Sequence, residues 1–233
     1  MKLPLNIEIY ETGVCPKCQA HLEYEPCSIL PNVVPLCDAC EAEQSDTWAK
    51  QQQQDRWKAL YLSKLPKGYL GSKPEKVPSC YARALQWESA SNHGGLGLIG
   101  VSGEGKSSAM ACALWKLEKS FLWWSGTEAR DAAIQAATAD RDREGANRRW
   151  EHAMRVPVLV LDDVSQGKLT EAWSSKLFDI LETRLSNGLP TFWTCQISIA
   201  ELKEKIIRQN SGDVAQAEAI TRRLSQHSLV LRA

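Results

Sequence analysis

The sequence predicts an α/β fold, a parallel sheet flanked by helices, preceded by a small cysteine-containing module and a connecting helix. The first observation is a short apolar run at 96–99 that leads through a glycine-rich loop into a helical pattern. The second is another apolar run, 156–161, which ends in two adjacent carboxylates. The third is a pair of C-x-x-C motifs within the first 40 residues. Strands that alternate with helices favour a parallel sheet, and paired cysteines favour a small metal-binding module.

Length and composition limit the class of protein. At 233 residues, 43% of them apolar, the chain has room for one domain of ordinary size and a small module. The net charge is zero, which argues against a protein that binds nucleic acid by bulk charge but leaves local contacts open. The first 13 residues lack the apolar region of a signal peptide, and no apolar run has membrane-spanning length. We therefore expect a cytoplasmic protein with no membrane partner.

The glycine-rich loop fits the phosphate-loop pattern G-x-x-x-x-G-K-[ST] through Gly100, Gly105, Lys106 and Ser107. Glycines allow backbone N–H groups to approach phosphates, and the helix that follows adds a partial positive charge at its N-terminus. Lys106 is predicted to reach the β- and γ-phosphates of ATP, and the Ser107 hydroxyl to help hold Mg²⁺. The alternative is a glycine-rich turn with a surface lysine. The predicted nucleotide-binding residues are Gly100, Gly103, Glu104, Gly105, Lys106, Ser107 and Ser108.

The second apolar run supplies the acidic half of the predicted site. In phosphate-loop ATPases the acid at the end of such a strand holds Mg²⁺, and the residue after it can polarise the attacking water. We assign Asp162 to the metal and Asp163 to the water; the alternative is an ordinary strand-end turn. A further strand, 189–194, places Thr194 or Gln196 at the edge where open α/β sheets bind ligands. Either side chain could sense the γ-phosphate, or neither has a role.

The cysteines of the two C-x-x-C motifs have the spacing of a zinc site. Eighteen residues separate the pairs, and two tight turns that each offer two thiolates can surround Zn²⁺ tetrahedrally. A segment of about 40 residues rarely buries enough apolar surface to fold alone, so zinc would stabilise it. Cys27 and His21 are alternative ligands, and free thiols or a redox pair are the alternative interpretation. The predicted ligands of this structural zinc are Cys15, Cys18, Cys37 and Cys40.

The remaining pattern is mainly helical. A connector helix over about 42–64 has a thin apolar stripe that includes Trp48 and Trp57, which could pack internally or dock on a partner. Residues 69–78, which are polar and contain proline, are predicted to form a linker or an entry loop. For the arginine-rich segment 140–155 a solvated mixed-charge helix is the favoured interpretation, and a DNA-facing surface is the alternative. Further helices are predicted at 79–92, from Lys106, at 128–139 with Thr127 as a cap, at 166–185, 199–207 and 215–224, and further strands at 121–124 and 229–231.

This order of parts resembles the nucleotide-binding core of the AAA+ ATPases, which are P-loop NTPases. More narrowly, it resembles the bacterial and phage replicative-helicase loaders of the DnaC/DnaI type, with the IstB transposition ATPases as neighbours. The resemblance covers roughly 64–233. It depends on the L-D-D strand before a long helix ending in R-L-x-N-G-x-P, on the R-R-L segment before the last strand, and on the absence of a C-terminal helical lid. It implies a helicase-binding zinc module at 1–43, a connector helix at 44–65 and an AAA+ ATPase domain at 66–233.

The resemblance also implies roles for individual residues. Lys106, Ser107 and Asp162 match the ATP and Mg²⁺ residues of the family, which makes ATP hydrolysis the expected activity. Arg222 is similar in position to the arginine finger that enters the ATP site of a neighbouring subunit. Arg223 is the competing choice for that role.

Two positions depart from the family pattern. Asp163 stands where many members have Glu. The tripeptide Thr194-Cys195-Gln196 stands where the family usually has T-T-N or T-S-N. Thr194 still takes its place among the predicted catalytic residues, but these departures predict slow or partner-stimulated ATP turnover.

The loaders carry an N-terminal module that grips the replicative helicase and in some members binds zinc. The leading hypothesis is therefore an ATP-dependent loader of a DnaB-type helicase onto DNA. Its AAA+ core would bind single-stranded DNA and self-associate through its ATP sites. One alternative is an IstB-like transposition ATPase, and another is a nucleotide-dependent helicase-binding regulator with little turnover. The expected setting is the cytoplasm of a bacterial cell or of a phage-infected host.

Overall fold

The computed structural model describes residues 11–24, 34–88, 94–138 and 143–233. The chain divides into two compact units, Met1–Lys58 and Ala59–Ala233. Each unit has its own sheet, of two strands in the first and of five strands in the second. The larger unit therefore contains the sheet on which the predicted nucleotide site depends.

The first unit contains an antiparallel hairpin and most of a long helix. Strands β1 (Glu11–Val14) and β2 (His21–Tyr24) are joined by a turn at 15–20. Helix α1 spans Asp38–Lys64, so it begins earlier than the predicted start near residue 42. The hairpin strands are mostly exposed. The buried side chains among the described residues of this unit are Cys15, Cys40 and Trp57.

The second unit is built on a sheet in which every strand pairing is parallel. Its strands are β3 (Gly95–Ile99), β4 (Phe121–Ser125), β5 (Val158–Asp162), β6 (Thr191–Cys195) and β7 (Leu229–Arg232). The strand order is β4-β5-β6-β3-β7, so β6 lies between β3 and β5. These three central strands are buried along their whole length, as expected of apolar runs covered on both faces. Their carboxyl ends meet at one edge of the sheet.

Helices occupy the connections between these strands. They are α2 (Lys106–Leu117), α3 (Gly126–Ala137), α4 (Arg143–Arg155), α5 (Glu171–Ser186), α6 (Ile199–Gln209) and α7 (Val214–Gln226). Parallel strands require such crossover connections, so the predicted alternation of strands and helices is confirmed. Within the described ranges, no helix is both long and apolar enough to cross a membrane.

Three tryptophans form the aromatic centre of the core. The rings of Trp124 and Trp150 lie 5.0 Å apart between centroids, and those of Trp150 and Trp173 lie 6.2 Å apart. All three side chains are buried, and they join β4, α4 and α5. Large aromatic rings contribute much of the buried apolar area of a core, so this contact chain fixes α4 and α5 against the sheet.

A buried arginine stabilises the edge of the sheet at which β5 and β6 begin. The Arg184 guanidinium on α5 donates to the carbonyl oxygens of Ala153 and Val156, both at 2.8 Å, and of Pro190 at 2.7 Å. Its Nε donates to Thr191 Oγ1 at 3.0 Å. Burial lowers the pKa of Arg184 to about 10, so the group is still charged at neutral pH. It ties the end of α4 to the starts of β5 and β6.

The helix predicted at 79–92 is different in the structure. Ser79–Gln86 form a 3-10 helix, and residues 89–93 lie outside the described ranges. Two side chains of this segment bond to β3: the Tyr81 hydroxyl donates to Ile99 O, and the Trp87 indole to Gly95 O, both at 2.9 Å. These tertiary bonds hold the segment against β3 in the tighter helix.

Two helix starts differ from the prediction because of local capping. Ser125, and not Thr127, caps α3: its hydroxyl accepts the N–H of Glu128, whose side chain accepts the N–H of Ser125 in return. Helix α5 begins at residue 171 and not at 166. The backbone at Gly167 has a positive φ of 72°, and the Thr170 hydroxyl caps the helix that follows. For the arginine-rich segment, α4 begins at 143, and residues 139–142 lie outside the described ranges.

Candidate functional site

The phosphate loop joins β3 to α2 as predicted. Gly105 caps α2 with a φ of +78°, a conformation that favours glycine. Lys106 is 7% exposed, and its ammonium donates to the carbonyl oxygens of Gly100 at 2.7 Å and Val101 at 2.8 Å. The loop therefore curls around its own lysine, which places the positive charge inside the ring of backbone where a phosphate would bind.

Asp162 is the hydrogen-bonding centre of the site. Its Oδ1 accepts the hydroxyls of Ser107 and Thr194, both at 2.7 Å, and its Oδ2 accepts the Tyr69 hydroxyl at 3.3 Å. The structure thus brings together Ser107, Asp162 and Thr194 from three separate parts of the sequence. A carboxylate beside a serine hydroxyl offers the hard oxygen ligands that Mg²⁺ prefers, so the residues present fit that ion. Tyr69 falls in the segment predicted to be a linker, and sequence reasoning missed it.

Asp163 belongs to a closed ring of hydrogen bonds. Its carboxylate accepts the Ser165 hydroxyl at 2.8 Å and the side-chain amide of Gln196. The Gln196 N–H donates to the Ser165 hydroxyl at 3.1 Å and so closes the ring. The backbone at Asp163 has a positive φ of 64°, and its N–H donates to Thr194 Oγ1 at 2.7 Å. The carboxylate predicted to polarise water is therefore bound by two donors in this state.

These groups line a cavity of about 440 Å³, a size in the range of small-molecule sites. A second cavity of about 590 Å³ shares part of the phosphate loop and continues to the segment before β3. Predicted residues that line the first are Gly103, Gly105, Lys106, Ser107, Ser108, Asp162, Asp163 and Thr194. Glu104 lines the second, where one carboxylate oxygen is buried and, among the described residues, has no hydrogen-bond partner. Gly100 lines neither cavity and faces Glu104 and Tyr81.

The structure distinguishes the two arginines of α7. The Arg223 guanidinium pairs with Glu182, donates to Ala219 O at 3.1 Å, and lies 4.5 Å from the centroid of the Phe178 ring. Arg222 is exposed, and its side chain makes no hydrogen bond or ion pair within the part of the chain that the structure describes. Arg223 is therefore occupied with packing inside its own unit, and Arg222 is available to a neighbouring molecule.

The arginine-rich segment forms helix α4, which has an exposed basic face. Arg148 pairs with Glu144 at 2.5 Å, an exposed ion pair of the kind expected on a solvated helix. Arg149 and His152 nevertheless lie with Arg148 around one shallow cavity of about 370 Å³. The apolar part of that cavity comes from Leu122 and Trp124 on β4 and from Gly145. The segment thus presents several basic groups on a single surface.

The candidate metal centre lies in the first unit, where the structure brings all four predicted cysteines together. Their Sγ atoms lie within 4.8 Å of one another. Backbone hydrogen bonds from Cys18 and Cys37 lower the pKa of Cys15 to about 6, whereas hydrogen bonding to Cys18 and burial raise that of Cys40 to about 12.

This cluster fits Zn²⁺ because four thiolates at such distances match its tetrahedral preference. The hairpin turn supplies Cys15 and Cys18. Cys37 directly precedes α1, and Cys40 lies in its first turn. His21 lies on β2 and is not part of the cluster. The alternative ligand Cys27 lies outside the described residues.

Comparison with known proteins identifies the fold. No family model and no curated protein matches the sequence. The crystal structure of DnaI is 18% identical, with a TM-score of 0.55 over 72% of this chain and 93% of that one. That of the DnaC helicase loader is 15% identical, with a TM-score of 0.54 over 72% of this chain and 99% of that one.

A third similar structure is a putative primosome component from Streptococcus pyogenes serotype M3. It is 24% identical, with a TM-score of 0.50 over 76% of this chain and 87% of that one. At these identities the likeness shows the fold alone, so the second unit shares the fold of the DnaI and DnaC structures. The fold class that the sequence predicts is confirmed.

Proposed function

We propose that this protein is an ATP-dependent loader of a DnaB-type replicative helicase, acting in the initiation of DNA replication. The observation that carries the proposal is the combination, in one chain, of a DnaC/DnaI-like AAA+ fold with a four-cysteine cluster ahead of it. The cavity formed by the phosphate loop and Asp162 supports ATP as the ligand. In this proposal the chain has a zinc module at 1–43, a connector at 44–65 and an ATPase domain at 66–233.

The nucleotide chemistry follows from the residues around Asp162. Lys106 would exchange its loop carbonyl partners for the β- and γ-phosphates, because an anionic phosphate is a stronger acceptor than a peptide carbonyl. Ser107 and Asp162 would hold Mg²⁺, which neutralises phosphate charge when bound. Thr194 orients both acids, since it donates to Asp162 and accepts from the backbone of Asp163. Asp163 would accept the proton of the attacking water once its own donors release it.

Arg222 would act between subunits. It is exposed at the end of α7 and has no described partner within its own chain, which suits a finger that enters a neighbouring ATP site. Arg222→Ala should lower ATP turnover that depends on protein concentration and leave the melting temperature unchanged. Arg223→Ala is the matched control: it should lower the melting temperature, because it removes the contacts to Glu182 and Phe178.

The four-cysteine unit would bind the helicase, and the core would bind single-stranded DNA. Zinc would fix the hairpin against the first turn of α1 and so present a rigid surface to the partner. On the core, the basic face of α4 is the surface that we propose for DNA. Its arginines suit backbone phosphates, and its apolar floor suits an unstacked base.

The decisive experiment is size-exclusion chromatography with light scattering, on the protein mixed with a DnaB-type helicase hexamer, with and without ATP. A stable complex that is lost in Cys18→Ser/Cys37→Ser supports the loader. Cys80→Ser is the control, because Cys80 is an exposed cysteine in the second unit. If no complex forms and the protein instead makes ATP-dependent filaments on duplex DNA, the IstB-like alternative replaces this proposal.

A second candidate function is a nucleotide-dependent helicase-binding regulator with little turnover. The observation that favours it is the ring in which Ser165 and Gln196 occupy the carboxylate of Asp163. A regulator would form the same helicase complex, but would not hydrolyse ATP even with helicase and single-stranded DNA present. Phosphate release measured in the reconstituted complex distinguishes the two functions.

A further inference from the structure

Tyr69, which the sequence analysis did not predict to be functional, lines the part of the cavity where Ser107 and Asp162 would hold Mg²⁺. It ends a short 3-10 turn, Lys67–Tyr69, that follows helix α1 by two residues. Its hydroxyl donates to Asp162 Oδ2 at 3.3 Å, and its side chain lines the same cavity as Ser107 and Asp162. A segment that the sequence predicts to be a linker therefore touches the residue assigned to Mg²⁺.

The phenol ring is held in this position by packing. Its centroid lies 5.2 Å from that of Trp123 on β4, with the two planes inclined by 33°. A phenol hydroxyl carries its proton at neutral pH, so Tyr69 is the donor in its contact with Asp162. The packing against Trp123 therefore fixes the Tyr69 ring so that its hydroxyl proton is directed at the Asp162 carboxylate.

Three hydroxyl groups donate to Asp162, and they differ in what each would do when a cation binds. Oδ1 accepts from Ser107 and Thr194, and Oδ2 accepts from Tyr69, so both oxygens already have partners. A divalent cation bound between Ser107 and Asp162 has to share this carboxylate with three hydroxyl protons, which occupy three of its roughly four acceptor positions. Ser107 would become a ligand, and Thr194 also bonds to the backbone of Asp163. Of these three donors, Tyr69 is the one to which we assign neither a bond to the cation nor the orientation of Asp163, so it is the donor that the cation can displace.

We propose that Tyr69 closes the Mg²⁺ side of the nucleotide site in the free protein, and that binding of the Mg²⁺–nucleotide complex displaces its hydroxyl from Asp162. This inference rests on the proposed function, because it requires that the cavity binds ATP with Mg²⁺. It assigns to Tyr69 a positioning role: the residue sets how much the cation adds to nucleotide affinity, while the loop around Lys106 sets affinity for the phosphates.

The test compares nucleotide binding with and without the cation. The dissociation constant of a fluorescent ATP analogue is measured in Mg²⁺ and in EDTA, for the full-length protein and for Tyr69→Phe. This variant keeps the ring and removes the hydroxyl. The ratio of the EDTA to the Mg²⁺ constant should rise roughly five- to tenfold, because one hydrogen bond to a charged group no longer competes with the cation. The EDTA constant should stay within about twofold.

Tyr24→Phe is a matched control, because the Tyr24 hydroxyl also donates to a carboxylate, that of Glu11 at 3.2 Å, in the other unit. It should leave the ratio unchanged. Tyr69→Leu removes the same hydroxyl with a different side chain and should raise the ratio too, so the conclusion does not depend on one variant.

An unchanged ratio in both Tyr69 variants overturns the inference and leaves the proposed function standing. A lower ratio also overturns it, because Tyr69 would then assist the cation instead of opposing it. If the unaltered protein binds no nucleotide in either condition, the proposed function fails and this inference fails with it.

Discussion

The two units of this protein reach a defined geometry by different means. Strands β3, β5 and β6 of the second unit are buried along their whole length, so the residues at their ends are fixed by apolar packing. The hairpin of the first unit is mostly exposed. Two of the four clustered cysteines are buried: Cys15 at the hairpin turn and Cys40 in the first turn of α1. The cavity around Asp162 is therefore positioned by an apolar core, whereas the four-cysteine cluster depends on the cysteines themselves.

This difference explains why the two sites should respond differently to the same perturbation. In the second unit a side chain can be removed from the proposed nucleotide site while the sheet still positions its neighbours. In the first unit the cysteines are both the site and much of the buried interior, so loss of the site is loss of the fold.

Removal of zinc should give the largest difference between the two units. A chelator that removes zinc should unfold the hairpin of the first unit, since structural zinc contributes about 10–16 kcal/mol of apparent binding free energy in small domains at neutral pH. The affinity for ATP should stay within about twofold, because Lys106 and Asp162 belong to the other unit. Nuclear magnetic resonance of the hairpin amides and a nucleotide titration check both halves. A hairpin that keeps its amide dispersion without metal would show that the thiols alone support it.

Loss of the buried guanidinium should affect only the second unit. Arg184→Met leaves the carbonyl oxygens of Ala153, Val156 and Pro190 buried without their donor, which should lower the free energy of unfolding by roughly 3–5 kcal/mol. Denaturant unfolding followed by tryptophan fluorescence measures the loss. Arg149→Met, on the exposed side of α4, is the control and should change stability by about 0.5 kcal/mol or less. A similar loss in both variants would refute a special role for the buried group.

The same contrast shows what the sequence could predict. The phosphate loop, the L-D-D strand and the strand that ends at Thr194 were predictable, because local patterns set them and a parallel sheet brings its strand ends together. The contact of Tyr69 with Asp162 joins residues 93 positions apart and has no local signal. Local sequence also does not predict that Ser125 and not Thr127 caps α3. Both residue types are good caps, and the position where β4 ends determines which of them is used.

A single substitution in the phosphate loop should separate function from stability. Lys106→Ala should weaken ATP binding by about 2–3 kcal/mol, roughly a hundredfold, because the charged hydrogen bonds to phosphate are lost. Stability should change little, since the lysine bonds only to carbonyl oxygens of its own loop. Calorimetric titration with ATP measures the loss, and Lys116→Ala, an exposed lysine on the same helix, should bind ATP normally. Equal affinity in the two variants would place the nucleotide elsewhere.

The smallest expected effect concerns the rate of hydrolysis. Gln196→Ala removes one of the two donors on the carboxylate of Asp163 and leaves the Ser165 hydroxyl in place. A carboxylate with a free oxygen is a better acceptor for the proton of water, so kcat for ATP should rise, by roughly three- to tenfold, with little change in KM. Phosphate release at saturating ATP measures this. Gln166→Ala is the matched control, because Gln166 also lines the cavity but its side chain bonds to Thr127 and, among the described residues, not to the carboxylate of Asp163. A fall in kcat would mean that Gln196 contacts the γ-phosphate, and the ring around Asp163 would then be an assembled site and not a restraint.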